Sequence, residues 1–398
     1  MRIALFPSAF HPHFGGVEEL SRQLSHALKR GGHEVVVITN RWPRSLPAYE
    51  DFEGLHLYRL PFRVPEGGPK AHVSYRLTHA NISRELLNVL AKHRTEVMHV
   101  QCISTNALYA MRAKIATGLP LIITAQGELT MDAAGLYQRP TIMNRLLPTV
   151  LAESDWITAC SARTLSDLEA HVGRAFPQKS SVIFNGVDVG EFDRAEPHKA
   201  NRPYVLAIGR HVPQKGFDLL LDALAKSEHI AQDVLIAGEG PERERLEQQA
   251  ASLELGDRVR FFGRADRAQT RSLFKGAEFV VVPSRADEGL PVVAVEAMAA
   301  GKAVVASCTG GLPEIVVNGE TGIIVPREDV AALKHAMDEM SVNPVRAKQY
   351  GAAARQAVRR VDWTSIADQY ASVYSIVLEH RDCASASQTC SADAPMRA

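Results

Sequence analysis

The sequence predicts an α/β protein built from two doubly wound domains. Short runs of β-branched residues alternate with longer amphipathic stretches, and the short runs are apolar on both faces, which is typical of parallel sheets covered by helices. The chain has 398 residues, of which 46% are hydrophobic and 23% charged. Since domains average about 150 residues, this length suits two or three of them. We therefore expect one domain in each half of the chain.

In the first half, seven segments have the strand pattern and are separated by turns or helical stretches. The predicted strands are residues 2–6, 34–39, 55–60, 97–101, 121–124, 156–159 and 182–184. Helical patterns between them include residues 18–30 and 83–93. This alternation predicts a first domain over residues 1–192.

In the second half, six segments have the strand pattern: residues 204–208, 234–237, 259–262, 279–282, 303–306 and 322–325. Helical patterns cover residues 217–227, 242–253, 267–275 and 292–300. A second domain is thus predicted over residues 202–362, after a polar linker at residues 191–202. Residues 383–398 are rich in Ala and Ser with little large apolar content, which predicts a disordered tail.

The bulk properties exclude several classes of protein. Lys plus Arg and Asp plus Glu both number 45, so no net charge indicates binding to nucleic acid. The five cysteines are odd in number and none are spaced as metal ligands, which favours a reducing compartment. The start, MRIALFPSAF, suits a first strand better than a signal peptide, and no run of about 18 apolar residues predicts a membrane span. We expect a cytoplasmic protein, and the sequence leaves peripheral contact with the inner membrane face open.

The strongest functional signal is residues 288–301, EGLPVVAVEAMAAG, which follow the strand-like run FVVVP and a loop. Pro291 suits the first helical position and Gly301 the residue just past the helix end. The helix would begin at the C-terminal edge of a parallel sheet, where its free N–H groups attract anions. Glu288 lies at its mouth and Glu296 about two turns inside it, and both carboxylates can accept hydrogen bonds from sugar hydroxyls.

A second signal is IGRHVPQKG, at the end of the predicted strand 204–208. It places Gly209 and Arg210 at a strand end, with Lys215 five residues after Arg210. A guanidinium can bind a diphosphate through two parallel hydrogen bonds, and an ammonium adds a point charge. The bland alternative is an ordinary basic loop.

Glycines also follow the first strand, in the tetrapeptide FGGV at residues 14–17. Such glycines permit a positive φ and a close approach of the backbone to a ligand, although taken alone they are better explained by a simple tight turn. The sequence GEGP at residues 238–241 lacks the third glycine of a dinucleotide fingerprint, so we reject an NAD site. The sequence contains none of the motifs GxxxxGK[ST], HExxH, GxSxG and DxD. P-loop, zincin and hydrolase interpretations therefore lack the motifs that would support them.

Together these motifs resemble the retaining glycosyltransferases of family four, which have the GT-B architecture of two Rossmann-like domains facing across a cleft. The resemblance runs from residue 14 to roughly residue 374. Its specific blocks are FGGVEELSRQLSHALKRGGHEVVVIT, VIFNGVD, IGRHVPQKGFDLLLDAL, IAGEGPERERLE, VVPSRADEGLPVVAVEAMAAGKAVVAS and GGLPEIVVNGETGIIVP. In such proteins the last helix, here about residues 363–380, packs back on the first domain.

The resemblance implies a role for each matching position in the binding of a nucleotide-diphosphate sugar. Arg210 and Lys215, beside Gly209, would hold the donor diphosphate, and Glu288 would contact hydroxyls of the transferred sugar. The implied backbone contacts to phosphate come from Gly16, Gly289 and Leu290, and Glu296 would bind the ribose. The family typically needs no metal or other cofactor, and its acceptors are carbohydrates, lipid-linked groups or small molecules.

One position departs from the family pattern. After the strand PLIIT the family usually carries a histidine that faces the transferred sugar, and here Gln126 occupies that place. Glutamine can hydrogen-bond a sugar hydroxyl but cannot titrate. The departure bears on the identity of the donor sugar.

No carboxylate is placed as a covalent nucleophile, so the sequence favours front-face attack, with the departing phosphate taking the acceptor proton. The protein would position the reactants, stabilise charge and exclude water. Three alternatives stay open at this point: a sugar-nucleotide epimerase or phosphorylase on the same architecture, a catalytically silent sugar-nucleotide-binding subunit, and a two-carboxylate glycosidase.

Overall fold

A computed structural model describes residues 1–13, 15–66, 68–131 and 137–392, with the backbone alone for residues 131 and 384–392. The chain divides into two compact units. Unit 1 contains Met1–Phe184 and the C-terminal stretch that begins at Trp363, and unit 2 is Asn185–Asp362. Each unit has its own predominantly parallel sheet with helices, which confirms the predicted α/β class.

The strands of unit 1 form one sheet of eight. They are β1 (Arg2–Pro7), β2 (Glu34–Asn40), β3 (Tyr49–Phe52), β4 (Leu55–Leu60), β5 (Val97–Gln101), β6 (Leu121–Ala125), β7 (Trp156–Ala159) and β8 (Ser180–Val182). Their order is β3-β4-β2-β1-β5-β6-β7-β8, and every neighbouring pair is parallel except β3 with β4. The direction of winding reverses between β1 and β5, which makes that gap the switch point where doubly wound sheets bind ligands.

Among the described residues up to 184, six helices accompany these strands. They are α1 (Gly16–Arg30), α2 (Pro69–Lys92), α3 (Thr105–Thr117), α4 (Glu128–Met131), α5 (Ile142–Glu153) and α6 (Ala162–Val172). Every residue of β5 and β6 is buried, as expected for strands covered on both faces. The apolar core therefore lies on both sides of the middle of the sheet.

Unit 2 has a six-stranded parallel sheet. Its strands are β9 (Tyr204–Ile208), β10 (Asp233–Ala237), β11 (Val259–Gly263), β12 (Val280–Val282), β13 (Val304–Ser307) and β14 (Gly322–Val325). The order β11-β10-β9-β12-β13-β14 is the order 3-2-1-4-5-6 of a doubly wound nucleotide-binding sheet. Its switch point lies between β9 and β12.

Eight helices of unit 2 connect and flank these strands. They are α7 (Val189–Arg194), α8 (Phe217–Ala225), α9 (Arg243–Ser252), α10 (Arg267–Gly276), α11 (Val292–Ala299), α12 (Leu312–Ile315), α13 (Val330–Val342) and α14 (Pro344–Ala357). Short 3-10 turns cover Pro213–Lys215, Gly256–Arg258 and Val358–Val361.

The predicted linker at residues 191–202 is corrected, because these residues belong to unit 2. Phe192 of α7 is buried and its ring lies 6.1 Å from that of Phe274 in α10. Glu191 pairs with Arg271, also in α10, at 2.7 Å. The polar composition of the segment hid this amphipathic turn, whose one large apolar side chain anchors it. The chain instead changes unit at residues 184–185 and 362–363.

The last helix, α15 (Trp363–Ala392), belongs to unit 1 and packs along α1. The structure continues this helix over residues 383–392, within the stretch 383–398 for which the sequence predicts disorder, and that disorder stays a prediction. Alanine is the best helix former, and extending an existing helix costs far less than nucleating a new one. Residues 393–398 lie outside the described residues. Within the part that is described, no helix has both the length and the apolarity to cross a membrane.

Candidate functional site

The candidate site of unit 2 lies where the chain leaves β9 and β12 at the switch point. Gly209 follows β9, with a φ of +155°, and a Cβ there would lie 3.4 Å from Cε of Lys215. That distance is an ordinary van der Waals contact, so it is the φ of +155°, which side chains rarely adopt, that favours glycine here. Gly216 has a φ of +65°, and a Cβ on it would lie 2.0 Å from the carbonyl oxygen of Pro283. Only glycine lets the Lys215 turn pack this closely on the loop after β12.

This packing brings Lys215 and Glu288 together. Nζ of Lys215 lies 2.5 Å from Oε2 of Glu288, and Oγ of Ser284 donates to Oε1 of the same carboxylate at 2.6 Å. The side chains of Lys215 and Glu288 are 16% and 10% exposed. The structure therefore joins two residues, predicted from separate motifs, in one largely buried ion pair.

The loop that carries Glu288 is fixed from both sides. Gly310, after β13, has a φ of +51°, and a Cβ there would lie 1.8 Å from the carbonyl oxygen of Glu288. Its N–H donates to Asp287 at 2.9 Å. Arg285 makes two parallel hydrogen bonds to Asp218 of α8, at 2.6 and 2.7 Å. Such bidentate contacts fix orientation as well as distance, so the Glu288 carboxylate is preorganised.

The other predicted residues of the loops after β9 and β12 differ in their exposure to solvent. Arg210 is exposed, and no side-chain partner for it is found among the described residues. Gly289 and Leu290 are buried immediately before α11. Pro291 is the N-cap of α11 rather than its first residue, and Gly301, with a φ of +73°, follows the helix end as predicted. The first N–H groups of α11 are thus oriented towards the same edge as Glu288.

Glu296 is the fifth residue of α11, and no contact with Lys215 or Glu288 is found in the described part of the chain. Burial raises its pKa to about 7, the positive charge of Arg271 opposes that shift, and the negative charge of Glu191 adds to it. The side chain is half-buried. Glu296 therefore changes between a neutral and a charged form near neutral pH.

This pKa predicts a pH-dependent stability. The folded pKa of about 7 lies above the ordinary value of 4.5, so the folded state binds more protons between these values and loses stability as the pH rises through them. Glu296→Gln should therefore gain stability over the wild type as the pH goes from about 5 to 8, by at most about 3 kcal/mol. Urea unfolding at several pH values measures this difference. Glu244→Gln, at an exposed position of α9, is the matched control. A constant difference across this pH range would contradict the assignment.

The candidate site of unit 1 centres on Gln126, directly after β6. Its N–H donates to Oε2 of Glu128 at 2.6 Å, and Nε2 donates to Oε1 of Gln101 at 3.0 Å. Glu128 is buried, which raises its pKa, while hydrogen bonds from the N–H groups of Ile103, Gln126 and others oppose the shift. The strand end that carries Gln126 is therefore held by a carboxylate that the sequence analysis did not identify.

Gly16 begins α1, close to the C-terminal end of β1. The positive φ that glycines permit is not adopted at Gly15, whose φ of −170° is an extended conformation open to any residue. A Cβ on Gly16 would meet no described atom within 4 Å. Phe14 of the same motif lies outside the described residues. The backbone at Gly16 is thus open to an approaching molecule, and its role towards a ligand stays a prediction.

The predicted residues thus form two sets, each at the C-terminal edge of its own sheet. Gly209, Lys215 and Glu288 lie together in unit 2, near Arg210, and Gln126 and Gly16 lie in unit 1. Sequence reasoning missed the supporting residues Ser284, Arg285, Asp218, Gln101 and Glu128, which no short motif marks. In the described part of the chain, no group of three or more His, Cys, Asp or Glu side chains could hold a metal ion.

Two family models match the chain. One, described as Glycosyl transferases group 1, matches residues 188–357, and the other, described as Glycosyltransferase Family 4, matches residues 14–191. The boundary between them falls close to the start of unit 2 at Asn185. Each matching region thus corresponds to one sheet and its candidate site.

Individual proteins of known sequence or structure are also similar to the chain over most of its length. A phosphatidyl-myo-inositol mannosyltransferase from Mycobacterium leprae is 31% identical over 379 residues, covering 91% of this chain and 93% of the relative. Among solved structures, sucrose-phosphate synthase from Thermosynechococcus elongatus has a TM-score of 0.76 at 23% identity, covering 95% and 99% of the two chains. The Anabaena protein HepE in complex with UDP has a TM-score of 0.75 at 20% identity, covering 94% and 100%.

Proposed function

The chain belongs to family 4 of the glycosyltransferases, and we propose that the switch point of unit 2 binds the diphosphate and the sugar of its donor. The enzyme is a retaining glycosyltransferase that moves a sugar from a nucleotide-diphosphate sugar to an acceptor hydroxyl. The observation that carries the proposal is the largely buried pair of Lys215 and Glu288 at that switch point. A charged pair in this place suits a ligand that has both phosphates and hydroxyls.

Two cations serve the diphosphate in this proposal. Lys215 supplies one ammonium, and the exposed Arg210 supplies a guanidinium that can bind two phosphate oxygens. The backbone N–H groups of Gly289 and Leu290, at the start of α11, add neutral donors to the same phosphates. Gly209 contributes through its backbone, because it allows the φ of +155° with which the chain leaves β9.

Glu288 serves the transferred sugar. Its carboxylate is held by Ser284 and Lys215, and each oxygen still has lone pairs to accept hydrogen bonds from sugar hydroxyls. Before the donor binds, Lys215 and Glu288 satisfy each other. Donor binding would let the ammonium turn part of its donor capacity to the phosphate without leaving the carboxylate alone.

Two residues of unit 1 complete the assignment. Gln126 offers a side-chain amide to a sugar hydroxyl, and the open backbone at Gly16 suits a close approach by phosphate or acceptor. Both lie at the C-terminal edge of the unit 1 sheet, where doubly wound sheets bind ligands. These two roles are supported by this position and, for Gln126, by the hydrogen bonds that hold it to Glu128 and Gln101.

The reaction we propose is a front-face substitution. The acceptor oxygen bonds to the anomeric carbon on the face from which the diphosphate departs, and the carbon–oxygen bond to that diphosphate breaks. The acceptor proton passes to the departing phosphate oxygen. Lys215 and Arg210 stabilise the negative charge that develops there, and Glu288 holds the sugar by its hydroxyls.

We also propose that transfer needs no metal or other cofactor, that nucleic acid has no part in it, and that the enzyme works in the cytoplasm. The cations of the diphosphate site support the first point, and the net charge of zero supports the second. The five cysteines are odd in number and none are spaced as metal ligands, which supports a reducing compartment. Undiminished activity in excess EDTA would test the metal-free mechanism.

A thermal-shift panel is the first experiment. UDP-glucose, GDP-mannose and ADP-glucose differ in base and in sugar, and a ligand at about 100 times its Kd stabilises a protein by roughly 2.7 kcal/mol. HepE, a protein of the same fold, was crystallised with UDP, which supports including that base. Donor consumption that requires an acceptor alcohol distinguishes transfer from epimerisation. No stabilisation by any nucleotide sugar would contradict the proposed donor site.

Glu296 gives a sharper test of the ribose assignment. If its carboxylate accepts hydrogen bonds from the ribose, Glu296→Gln should raise the Kd of the donor about 10-fold, the contribution of one hydrogen bond to a charged group. Calorimetric titration with nucleoside diphosphate at about pH 8, where Glu296 is mostly ionised, measures this change. Unchanged affinity combined with the predicted gain in stability would assign Glu296 a structural role instead.

A further inference from the structure

A row of buried polar side chains lies beneath Gln126 in unit 1. His99 of β5 is fully buried, and its Nε2 lies 3.1 Å from Nε2 of Gln101 while its Nδ1 lies 2.6 Å from the hydroxyl of Tyr374 in α15. Gln101 in turn accepts a hydrogen bond from Gln126 at 3.0 Å. Four side chains thus connect the last helix with the edge of the sheet. None of the motifs in the sequence accounts for His99 or for Tyr374.

The chemistry of these groups determines which one donates and which one accepts in each hydrogen bond of the row. Burial lowers the pKa of His99 to about 3, so the imidazole is neutral, with one donor and one acceptor nitrogen. Gln101 presents its NH₂ group to Nε2, which must therefore be the acceptor. The proton of His99 is then on Nδ1 and is donated to Tyr374. Thr124, 2.7 Å from Nε2, has a hydroxyl that can donate or accept and so fits this arrangement.

The order of donors and acceptors in this row also determines which atom of the Gln126 amide has no hydrogen-bond partner. Gln101 directs its NH₂ group at His99 and its carbonyl oxygen at Gln126. Since that oxygen can only accept a hydrogen bond, Gln126 donates to it from its own NH₂ group. Oε1 of Gln126 is buried and has no hydrogen-bond partner among the described residues. An unsatisfied buried acceptor is costly, which makes this oxygen a place for a donor supplied by a ligand.

We propose that Tyr374, His99 and Gln101 are positioning residues that hold the amide of Gln126 in one orientation, so that it meets the sugar as a hydrogen-bond acceptor only. The inference rests on the proposed function, in which Gln126 faces the transferred sugar. It adds that Gln126 selects a hydroxyl, which can donate, over fluorine or hydrogen at the same carbon. The tautomer of His99 sets this preference, because the opposite tautomer would reverse every bond in the row and present NH₂ to the ligand.

The tautomer can be measured in the full-length wild-type protein without any substrate. Selective ¹⁵N labelling of histidine and the ring nitrogen shifts of His99, assigned with His99→Asn, report which nitrogen carries the proton. We expect Nδ1–H. Nε2–H in the wild type would overturn the proposal. Tyr374→Phe removes the acceptor for Nδ1–H, so the proton should move to Nε2, where Thr124 can accept it.

The functional test compares two variants of Gln101. Gln101→Leu removes the hydrogen bonds to His99 and Gln126, and the preference for the parent sugar over its monodeoxy analogue should fall about 10- to 100-fold in kcat/KM. Gln101→Glu keeps an acceptor facing Gln126 and should restore most of the preference. The donors are those of UDP-glucose, GDP-mannose and ADP-glucose that the wild type uses, each with its complete set of monodeoxy sugars.

Binding of the nucleoside diphosphate separates the possible failures. Because that site lies in unit 2, both Gln101 variants should retain wild-type affinity for it. An unchanged sugar preference in Gln101→Leu with normal nucleotide binding would overturn the proposal. If Gln101→Leu fails to fold, the tautomer of His99 and the sugar preference of Tyr374→Phe decide. A wild type that binds no nucleotide sugar would instead contradict the proposed function, and the tautomer result would stand apart from it.

Discussion

Replacing Lys215 with alanine should lower kcat/KM about 10²–10³-fold, the loss expected when one preorganised charge at a developing anion is removed. The same change should also lower the melting temperature. Lys215 pairs with Glu288, whose side chain is only 10% exposed, and deleting one partner of a buried ion pair costs about 3–5 kcal/mol. Ser284 still donates to that carboxylate, so we expect a cost near the lower end of this range.

Arg210→Ala should show the same loss of rate without the loss of stability. Its side chain is exposed, and a surface substitution away from special features changes stability by about 0.5 kcal/mol or less. Lys226→Ala, at an exposed position just after α8, is the matched control and should change neither quantity. Steady-state kinetics and thermal unfolding of the three variants, measured in one buffer, give the comparison.

The two outcomes that oppose the assignment differ in kind. Near-normal turnover of both Lys215→Ala and Arg210→Ala would remove the diphosphate from this edge of the sheet. A rate loss in Lys215→Ala alone, in proportion to its fraction unfolded, would assign the lysine to the architecture of the loop. Salt adds a check, because screening weakens the exposed Arg210 contact more than the largely buried Lys215 contact.

Much of the fold could be predicted because parallel strands covered on both faces carry a strong local signal. The predicted ranges 55–60, 97–101, 156–159, 204–208 and 322–325 agree with strands β4, β5, β7, β9 and β14 at both ends. In each case a run of apolar or β-branched residues is bounded by turn residues or by a helical pattern. Of these five strands, β9 is the one followed by predicted site residues, Gly209 and Arg210, so hydrophobic periodicity located that part of the site to the residue.

The element that the sequence did not reveal, β3, depends on a distant partner. Its four residues, YEDF, include two acidic side chains and have no continuous apolar run. The strand exists because it pairs antiparallel with β4, placing Tyr49 opposite Tyr58 with ring centroids 5.0 Å apart. Pairing and cross-strand packing of this kind override local propensity.

The glycines of the site show a different limit. In the sequence, Gly238 and Gly240 belong to an incomplete dinucleotide fingerprint and to one block of the family resemblance, and neither pattern gives them a structural role. In the structure a Cβ on Gly238 would lie 1.9 Å from the carbonyl oxygen of Gly209, and one on Gly240 would lie 2.4 Å from that of His211. They are therefore required where two loops of unit 2 approach each other. The sequence can mark a position that needs glycine, but not which backbone it approaches.

The side chains that hold the site residues in place were the hardest to predict from the sequence. Arg285 lies three residues before Glu288 and looks like any loop arginine, yet its two hydrogen bonds to Asp218 span 67 positions of the chain. The row beneath Gln126 joins His99 to Tyr374 across 275 positions. Motifs identify the residues that meet a ligand, whereas their supports depend on which elements the sheet order brings together.

Glu288→Gln should separate sugar recognition from phosphate binding. The amide keeps the size of the side chain but loses the charge, so hydroxyl contacts to the transferred sugar weaken and kcat/KM should fall on the order of 10²-fold, as expected for two hydrogen bonds to a charged group. The nucleoside diphosphate should bind more tightly than in the wild type. Lys215, freed from a carboxylate at 2.5 Å, can then direct its whole charge to the phosphates.

Calorimetric titration with nucleoside diphosphate, beside steady-state kinetics with the complete donor, measures this split. Ser284→Ala is the informative companion, because it removes the hydrogen bond to Oε1 and leaves the pair with Lys215 in place. We expect it to lower kcat/KM modestly with no gain in nucleotide affinity. A purely structural Glu288 predicts the reverse for the nucleotide, which would bind more weakly in Glu288→Gln; a lower melting temperature is expected in either case, because the change removes one charge of a buried ion pair. Tighter binding of the nucleotide together with slower transfer is the result that only a carboxylate competing for Lys215 and holding the sugar would give.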